Sequence, residues 1–403
     1  MDWLLMLLVG VSAVSLVLTL LLQGTAHWKL RRNLRRKPHG PGPTPGISVL
    51  KPLRGLDDGL EQNLRSLAEQ DYPCFEILFA AEDPRDPALR VAWRIKRAYP
   101  AVPIRILVSD EPVLNPKVAN LVAMTRVARH PYLLVSDSNV RARPDYLRAM
   151  AAETRDPRVG LVSSMLAGTG EATVGALLEN AHLNSFIVAA VCAGNEVARH
   201  PCVIGKSMLM RRDDLDRLGG WDSVGDILAE DYVLGQRFHA AGHRVALSGH
   251  VLPTVNENWS VRRFLARHLR WNQMRRRVAP FAYVAEPLLY PVPWLIAVLV
   301  AVLAFPEDAF VSSRALVVAS AMGIALKAVA DHVLSRRLRG VGFGLASLPW
   351  LVVKDVLTLG LWAVGGFRTT VTWRGHRMRI GAGTRLHHAP AEQGAWTRAN
   401  PAG

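Results

Sequence analysis

The sequence predicts an α/β fold with a mostly parallel, doubly wound sheet, flanked by apolar segments long enough to reach across a bilayer. Two observations predict it. Between Ile47 and Val140, short β-type runs alternate with stretches of helical spacing, the pattern of strands joined by crossover helices. On both sides of the central block the chain carries long apolar runs. Composition agrees: half of the 403 residues are hydrophobic while the net charge is +16. Apolar spans beside basic loops that face anionic headgroups give both at once. A nucleic-acid-binding protein would be basic without long apolar runs, so no nucleic-acid partner is expected. The three cysteines, Cys74, Cys192 and Cys202, are odd in number and form no CxxC pair, which argues against a disulfide framework or a Cys-built zinc site.

The first apolar run, Leu4 to Leu22, carries no charge. Asp2 precedes it, and Arg31, Arg32, Arg35, Arg36 and Lys37 follow it. A signal peptide would show the reverse order of charge. Residues 1–26 therefore read as an uncleaved anchor whose continuation is cytosolic. Residues 27–46 read as a basic linker ending in PHGPGPTPG. The globular domain is expected over 47–280. ISVLKPLRG is a strand running into a loop, and Leu60 to Glu69 an amphipathic helix. FEILFAAED is a strand ending in carboxylates, VAWRIKRAYP a helix and IRILVSDEP a strand. Lys117 to Arg129 has helical spacing, and YLLVSDSNV is a further buried strand. In such sheets ligands bind beyond the carboxyl ends of the strands, where the polar residues here cluster.

Residues 281–367 return to apolar composition. Leu288–Phe305 is one candidate span, and Leu316–Leu334, interrupted by Lys327 and Asp331, a second. Leu345–Phe367 is a third, with Lys354 and Asp355 in its middle. With a cytosolic domain, the loop carrying Glu307 and Asp308 lies outside and the basic loop Ser335–Gly340 inside. A full third crossing would then put Arg368, Arg374, Arg377 and Arg379 outside, against the positive-inside tendency. A Lys–Asp pair at mid-bilayer would also be costly. The expectation is that 345–367 lies in the interface or dips in and returns. Residues 368–403 would be a basic cytosolic tail with a disordered end. The Ala- and Arg-rich composition points to a bacterial inner membrane.

Four clusters carry candidate chemistry. Glu82–Asp83, ending the FEILFAA run, reads either as a nucleobase acceptor or as a solvated turn, and Asp57 shares that ambiguity. Asp137-Ser138-Asn139 follows a buried strand, where a carboxylate suits a divalent cation that neutralises a diphosphate. Glu230–Asp231 is flanked by apolar residues. Such a setting raises a carboxylate's pKa as a general base needs, though an acidic pair also suits a helix N-terminus. The segment Arg262 to Arg277 holds seven arginines. On a helix, Arg263, Arg267 and Arg270 share a face, where their forks suit diphosphate oxygens with Trp271 as an aromatic wall. The same segment suits a membrane surface.

The order of these pieces is more specific than any one of them. The chain reads KPLRGLD, ED, NPKVANL, DSN, GKSMLMRRDDL with GGWD, AEDY and RHLRW. This series resembles the family 2-like glycosyltransferases and, within them, the ceramide glucosyltransferase family, over about Ile47 to Pro280. The tail VTWRGHR (371–377) and the flanking apolar runs extend the likeness. The resemblance implies a GT-A-like, Rossmann-type nucleotide-sugar-binding domain and an inverting single displacement. It implies Asp57 and Asp83 by the uridine of a UDP-sugar donor, and Lys117 and Asn120 along the nucleotide. Asp137 would approach a divalent cation, Mg2+ or Mn2+, and the diphosphate. Asp231 would be the general base, with Arg267, Arg270 and Trp271 holding the diphosphate. Asn139 stands where many relatives of this broad fold have a second Asp, so Glu82 or a water would complete the metal shell.

The segment Glu179 to Cys202 departs from the animal ceramide enzymes and bears on the acceptor. Glucose transfer from UDP-glucose to ceramide or a related sphingoid lipid is the expected reaction. Transfer of a hexose or N-acetylhexosamine to another membrane lipid, such as a hopanoid, is the alternative. A processive polysaccharide synthase would need more spans, and a nonenzymatic nucleotide-binding protein would not need Asp137 and Asp231.

Overall fold

The computed structural model describes residues 2–35, 44–304, 313–373 and 376–388. A single long helix, α1 (Asp2–Arg35), opens the chain. The globular part then alternates: β1 (Ile47–Pro52), α2 (Leu60–Ala68), β2 (Phe75–Ala81), α3 (Pro87–Ala98), β3 (Ile104–Val108), α4 (Pro116–Val127) and β4 (Tyr132–Ser136). It continues with α5 (Tyr146–Glu153), β5 (Val159–Thr169), α6 (Val174–His182), α7 (Val188–Glu196), β6 (Ser207–Arg211), α8 (Arg212–Arg217), α9 (Glu230–Ala240) and β7 (Arg244–Val255). The remaining helices are α10 (Val261–Val278), α11 (Pro280–Ala285), α12 (Pro291–Ala304), α13 (Ser313–Arg339) and α14 (Leu348–Phe367). Three short strands follow: β8 (Thr370–Trp373), β9 (His376–Ile380) and β10 (Leu386–His388).

The main sheet has the order β3-β2-β1-β4-β6-β5-β7. β1 to β4 are mutually parallel where they pair, and β5 is parallel to β7. β6 runs antiparallel between β4 and β5. Both faces are covered, so β1 and β2 are buried nearly throughout, as parallel strands require. Alternation along β2 sends Phe79 to one apolar layer with Leu64 and Tyr146, and Leu78 to the other with Val118 and Phe238. Caps set the helix starts. Asp86 and Asn115 each cap a helix that has Pro at its first position, and Ser260 caps α10.

The expected linker is shorter than the sequence suggested. Residues 27–35 continue α1, because no Pro or Gly intervenes before residue 38. Ala26 and Leu30 pack against Val188 and Cys192, and buried Lys29 pairs with Glu196. Most of the Pro/Gly stretch lies outside the described residues, as do Glu307, Asp308 and Arg374.

The helices Trp3–Asn33, Ser313–Arg339 and Leu345–Phe367 are long and apolar enough to cross a membrane and leave most of that surface free; they mark a membrane protein. A fourth segment passes the same test, Val174–Glu196, but 78% of its apolar window is buried inside the protein. It wedges α6 against α10 and α14, and α7 against α1. A π turn at Leu183–Ile187 joins its halves, and there Asn184 accepts from Gly168 N at 2.7 Å and donates to Gly168 O at 2.9 Å. The Leu288–Phe305 run is a bent pair, 280–289 and α12, with a 50° angle at the Pro-flanked break.

Two expectations for the C-terminal part change. α14 is an unbroken helix over Leu348–Phe367, so the descent and return expected within that segment is absent. Its charges do not face lipid. Lys354 and Asp355 are buried against Lys327 and Asp331 of α13, and that pairing offsets the cost that weighed against a third crossing. The tail is not a free basic segment either: β8, β9 and β10 form an antiparallel sheet docked on the globular domain through Leu228. Residues 389–403 lie outside the described residues.

Candidate active site

A cavity of about 610 Å³ opens beyond the carboxyl ends of β1 and β4, closed on one side by α10. Asp57, Lys117, Asp137, Asn139, Asp231 and the Arg267, Arg270, Trp271 group of the sequence series all line it. Three elements set their positions. β4 ends at Ser136, which places Asp137 at the strand's mouth. The Asn115 cap accepts from the N–H groups of Lys117 and Val118, fixing the first turn of α4 and the root of the Lys117 side chain. α9 begins at Glu230, so Glu230 and Asp231 occupy its first turn, where the helix dipole favours carboxylates.

Lys117 is the hub. Its Nζ lies 3.2 Å from Asp137 Oδ1 and 3.0 Å from Glu230 Oε1, and it donates to Gly205 O at 2.8 Å. Burial works against its charge, but Asp137, Glu230 and Asp231 outweigh that and raise its pKa above the usual lysine value. The Gly205 N–H in turn donates to Asp231 Oδ2 at 2.5 Å, and Tyr232 N–H donates to Asp231 Oδ1 at 2.8 Å. A Cβ at position 205 would stand 2.6 Å from Lys117 Nζ and 2.9 Å from Asp231 Oδ2. Any side chain there would push Lys117 Nζ or the Asp231 carboxylate from its place. Burial, then the neighbouring Glu230 charge, push the Asp231 carboxyl up to about 7, against Lys117 and the two backbone donors.

The other end of the cavity is basic. Arg263 pairs with Asp57 at 3.2 Å and lies over the Trp259 ring. Arg267 lies between the Trp259 and Trp271 rings and pairs with fully buried Glu179 at 3.2 Å. Glu179 also meets His268 Nε2 at 2.8 Å. Asp57 accepts from the Ser138 hydroxyl. The excess of guanidinium and ammonium groups beside Asp57 and Asp137 suits a ligand with several negative charges.

Asp83 and Asn120 do not line the cavity. Asp83 sits in an exposed turn where its Oδ1 accepts from Arg85 N, beyond the Arg54–Glu82 pair at 3.6 Å. Asn120 is fully buried in α4, and neither polar atom of its side chain has a hydrogen-bond partner among the described residues. Two lysines join the site without having been singled out. Lys206 Nζ reaches Asn139 Oδ1 at 2.5 Å and lies 3.8 Å from Asp137. Burial, then Arg267, lower its pKa to about 8. Lys51 donates to Asp137 O at 2.7 Å beneath the floor, and burial lowers it to about 7. Their signal in the sequence was a lysine inside a short motif, KPL and GKS, with no spacing to say where it points. Glu179 was hidden in an apolar run.

For a metal, the donor set is narrow. Among the described residues, no three His, Cys, Asp or Glu side chains converge as a metal set. Asn139, two residues after Asp137, is engaged by the protein, its Oδ1 accepting from Lys206 Nζ and its Nδ2 donating to Asn256 Oδ1. Asp137 is partly exposed to the cavity at 29%. This fits a cation held jointly by one carboxylate and ligand phosphates, and does not fit a closed protein cage.

Comparison with known proteins gives a family match. The model of glycosyl transferase family 21 matches residues 10–386. Ceramide glucosyltransferase 1 of Caenorhabditis elegans is 33% identical over 251 residues, 62% of this chain and 54% of that protein. The chain thus spans about half the length of the nematode relatives it matches. The ceramide glucosyltransferase of Komagataella phaffii is 29% identical, covering 70% of this chain and 67% of its own. A mannosyltransferase of Pyrobaculum calidifontis, solved with GDP-Man and Mn2+, matches at a TM-score of 0.53 and 20% identity, over 86% of this chain and 99% of its own. At that identity the likeness is one of fold, which is GT-A-like.

Proposed function

This chain belongs to glycosyl transferase family 21, and we propose on that premise that it transfers glucose from UDP-glucose to ceramide or a related sphingoid lipid by an inverting single displacement. One observation carries the reading. Asp231, the carboxylate with a raised pKa, and Asp137, paired with Lys117, line one cavity together with Arg263, Arg267 and Arg270. A displacement needs a base on one face of the sugar and a held leaving group on the other. Asp231 takes the proton from the acceptor hydroxyl as its oxygen bonds to the anomeric carbon. The bond from that carbon to the diphosphate breaks, and the electron pair leaves with UDP. Arg267, Arg270 and Lys206 hold the charge that develops there. Trp271 stacks on Arg267 and keeps its fork aimed. Asp57 faces the uridine side and Lys117 ties the nucleotide floor to the base, whereas Asp83 in its exposed turn and Asn120 inside α4 stand outside the cavity and take no direct part.

Asp137 would hold a divalent cation together with the diphosphate, where the cation supplies charge neutralisation. The relatives named as ceramide glucosyltransferases support the acceptor class, and the helices long enough to cross a membrane supply the surface on which a lipid is met. The basic residues after the first apolar run support a cytosolic site.

The test is transfer in liposomes. Purified protein with UDP-glucose and Mg2+ or Mn2+ is expected to convert ceramide to a product heavier by one hexose, seen by mass spectrometry, and chelation is expected to abolish it. Transfer only to a hopanoid, or only from a UDP-N-acetylhexosamine, would overturn the substrate assignment. Turnover with saturating donor is further expected to rise with pH through about 7, as Asp231 loses its proton and becomes able to accept another. A flat profile between pH 6 and 8, roughly one unit either side of that midpoint, would contradict Asp231 as base.

A further inference from the structure

We propose that Thr384, in the C-terminal sheet region, is a positioning residue for Asp231: it fixes the turn from which α9 starts, and with it the place of the reacting carboxylate. The inference rests on the reading of Asp231 as the base.

α9 has a weak start of its own. Its N-cap residue is Ala229, whose side chain makes no cap hydrogen bond. A residue 155 positions away holds the N-cap residue itself: Thr384 Oγ1 accepts from the Ala229 N–H at 3.2 Å. The Thr384 carbonyl accepts from the neighbouring Leu228 N–H at 3.0 Å. Leu386 N–H donates to Asp226 O at 2.7 Å, and Ile227 bridges to Arg385. The opposite side of the same turn is held from α4's cap region. Leu114 N–H donates to Asp226 Oδ1 at 2.9 Å and Asn115 Nδ2 to Ile227 O at 2.7 Å. The turn 226–229 is thus gripped between the segment that roots Lys117 and the segment around Thr384. Leu228 is sealed there against Val371, Met378, Ile380 and Leu386, and it lines the cavity itself.

The backbone conformation supports a role for the hydroxyl. Thr384 is fully buried with φ +64°, and only Arg199 shares a positive φ among the described non-glycine residues. A β-branched residue is sterically costly there. A turn that needed only its shape would take glycine, as its neighbour Gly383 does at φ +57°. Threonine adds the one acceptor that reaches Ala229 N–H.

The test compares three variants in the full-length protein, with UDP binding, KM for the donor and kcat read for each. Thr384→Val and Thr384→Gly are expected to keep UDP affinity and donor KM while kcat falls about 10- to 100-fold, the effect of misplacing a catalytic group by a fraction of an ångström to an ångström. Thr384→Ser, which keeps the hydroxyl, is expected to stay near wild type. The glycine variant relieves the strained backbone and carries the comparison if the valine variant does not fold. Wild-type kcat in Thr384→Gly, or a serine variant as impaired as glycine, would overturn the proposal. Asp231→Asn measured alongside separates the two readings. Turnover lost in Asp231→Asn but kept in Thr384→Gly overturns the positioning role alone. Turnover kept in Asp231→Asn overturns the base assignment on which it rests.

Discussion

Asp231→Asn is expected to bind UDP with wild-type affinity and to lose turnover by about 10²- to 10⁴-fold, the range that a positioned general base contributes. The substitution changes almost no volume, so Lys117, Gly205 and the arginine wall keep their places. What changes is the proton. An amide cannot accept one from the acceptor hydroxyl, and it offers one acceptor oxygen where the carboxylate serves both Gly205 and Tyr232. One of those backbone N–H groups then faces an NH2, a local cost that falls on α9 and not on the donor. The neighbour Glu230 is unsuited to replace it, because its carboxylate is spent on Lys117 at 3.0 Å and on Asn115. Isothermal titration with UDP and a radiolabelled-sugar transfer assay check the two halves of the result. Turnover within a few-fold of wild type would remove Asp231 from the chemistry; loss of UDP binding would make it part of the donor site.

Lys354→Met is expected to destabilise the helical bundle by about 3–5 kcal/mol, the cost of leaving a buried charge without its partner. Lys354 lies 2.9 Å from both Asp331 and Asp355, and Lys327 lies 2.7 Å from Asp331 and 3.2 Å from Asp355. Gln23 of α1 donates to Asp331 at 2.7 Å, and Lys354 donates to Ser185 at 3.1 Å. The four charges cancel, and they join α1, α13, α14 and the buried segment that carries Glu179. Methionine keeps most of the volume but leaves two carboxylates with one ammonium. The double variant Lys354→Met/Asp355→Leu removes one charge of each sign and is expected to recover most of the loss, since replacing a buried pair by apolar groups is often neutral. Thermal unfolding in detergent reads both. A single variant that melts with the wild type, or a double variant no better than the single, would show that the network does not hold the bundle together.

Much of the site was legible because strand and helix ends are local events. The run YLLVS is apolar and β-branched up to Ser136, so Asp137 had to emerge at a strand's mouth. Asn-Pro at 115–116 marks a helix start by cap chemistry alone, while Lys117 as a site residue came from the family resemblance. The arginine spacing 263, 267 and 270 put three guanidinium groups on one side of α10, and all three line the cavity. Asp83 shows the limit of the same logic: it ends a strand as Asp137 does, yet its turn folds outward and its carboxylate is engaged with Arg85 N–H. For the C-terminal helices, hydropathy found the apolar runs but misjudged Lys354–Asp355. The cost of a charge depends on what lies opposite it, and Lys327 and Asp331 lie opposite.

An α/β domain set among apolar helices, with arginines and carboxylates placed at strand and helix ends, was determined by the sequence alone. Period, capping and charge order act over a few residues and survive without the fold. Tertiary structure decided which charges meet. Glu179 reaches Arg267 and His268 across 88 and 89 positions, Lys206 enters the space between Asp137 and Asn139, and Thr384 accepts from the Ala229 N–H before the helix of Asp231 from 155 positions away. Those contacts depend on the antiparallel insertion of β6, on the burial of α6 and α7 inside the protein and on the docking of the tail. Each is a long-range packing choice whose energy comes from surfaces distant in sequence, and no local pattern records it.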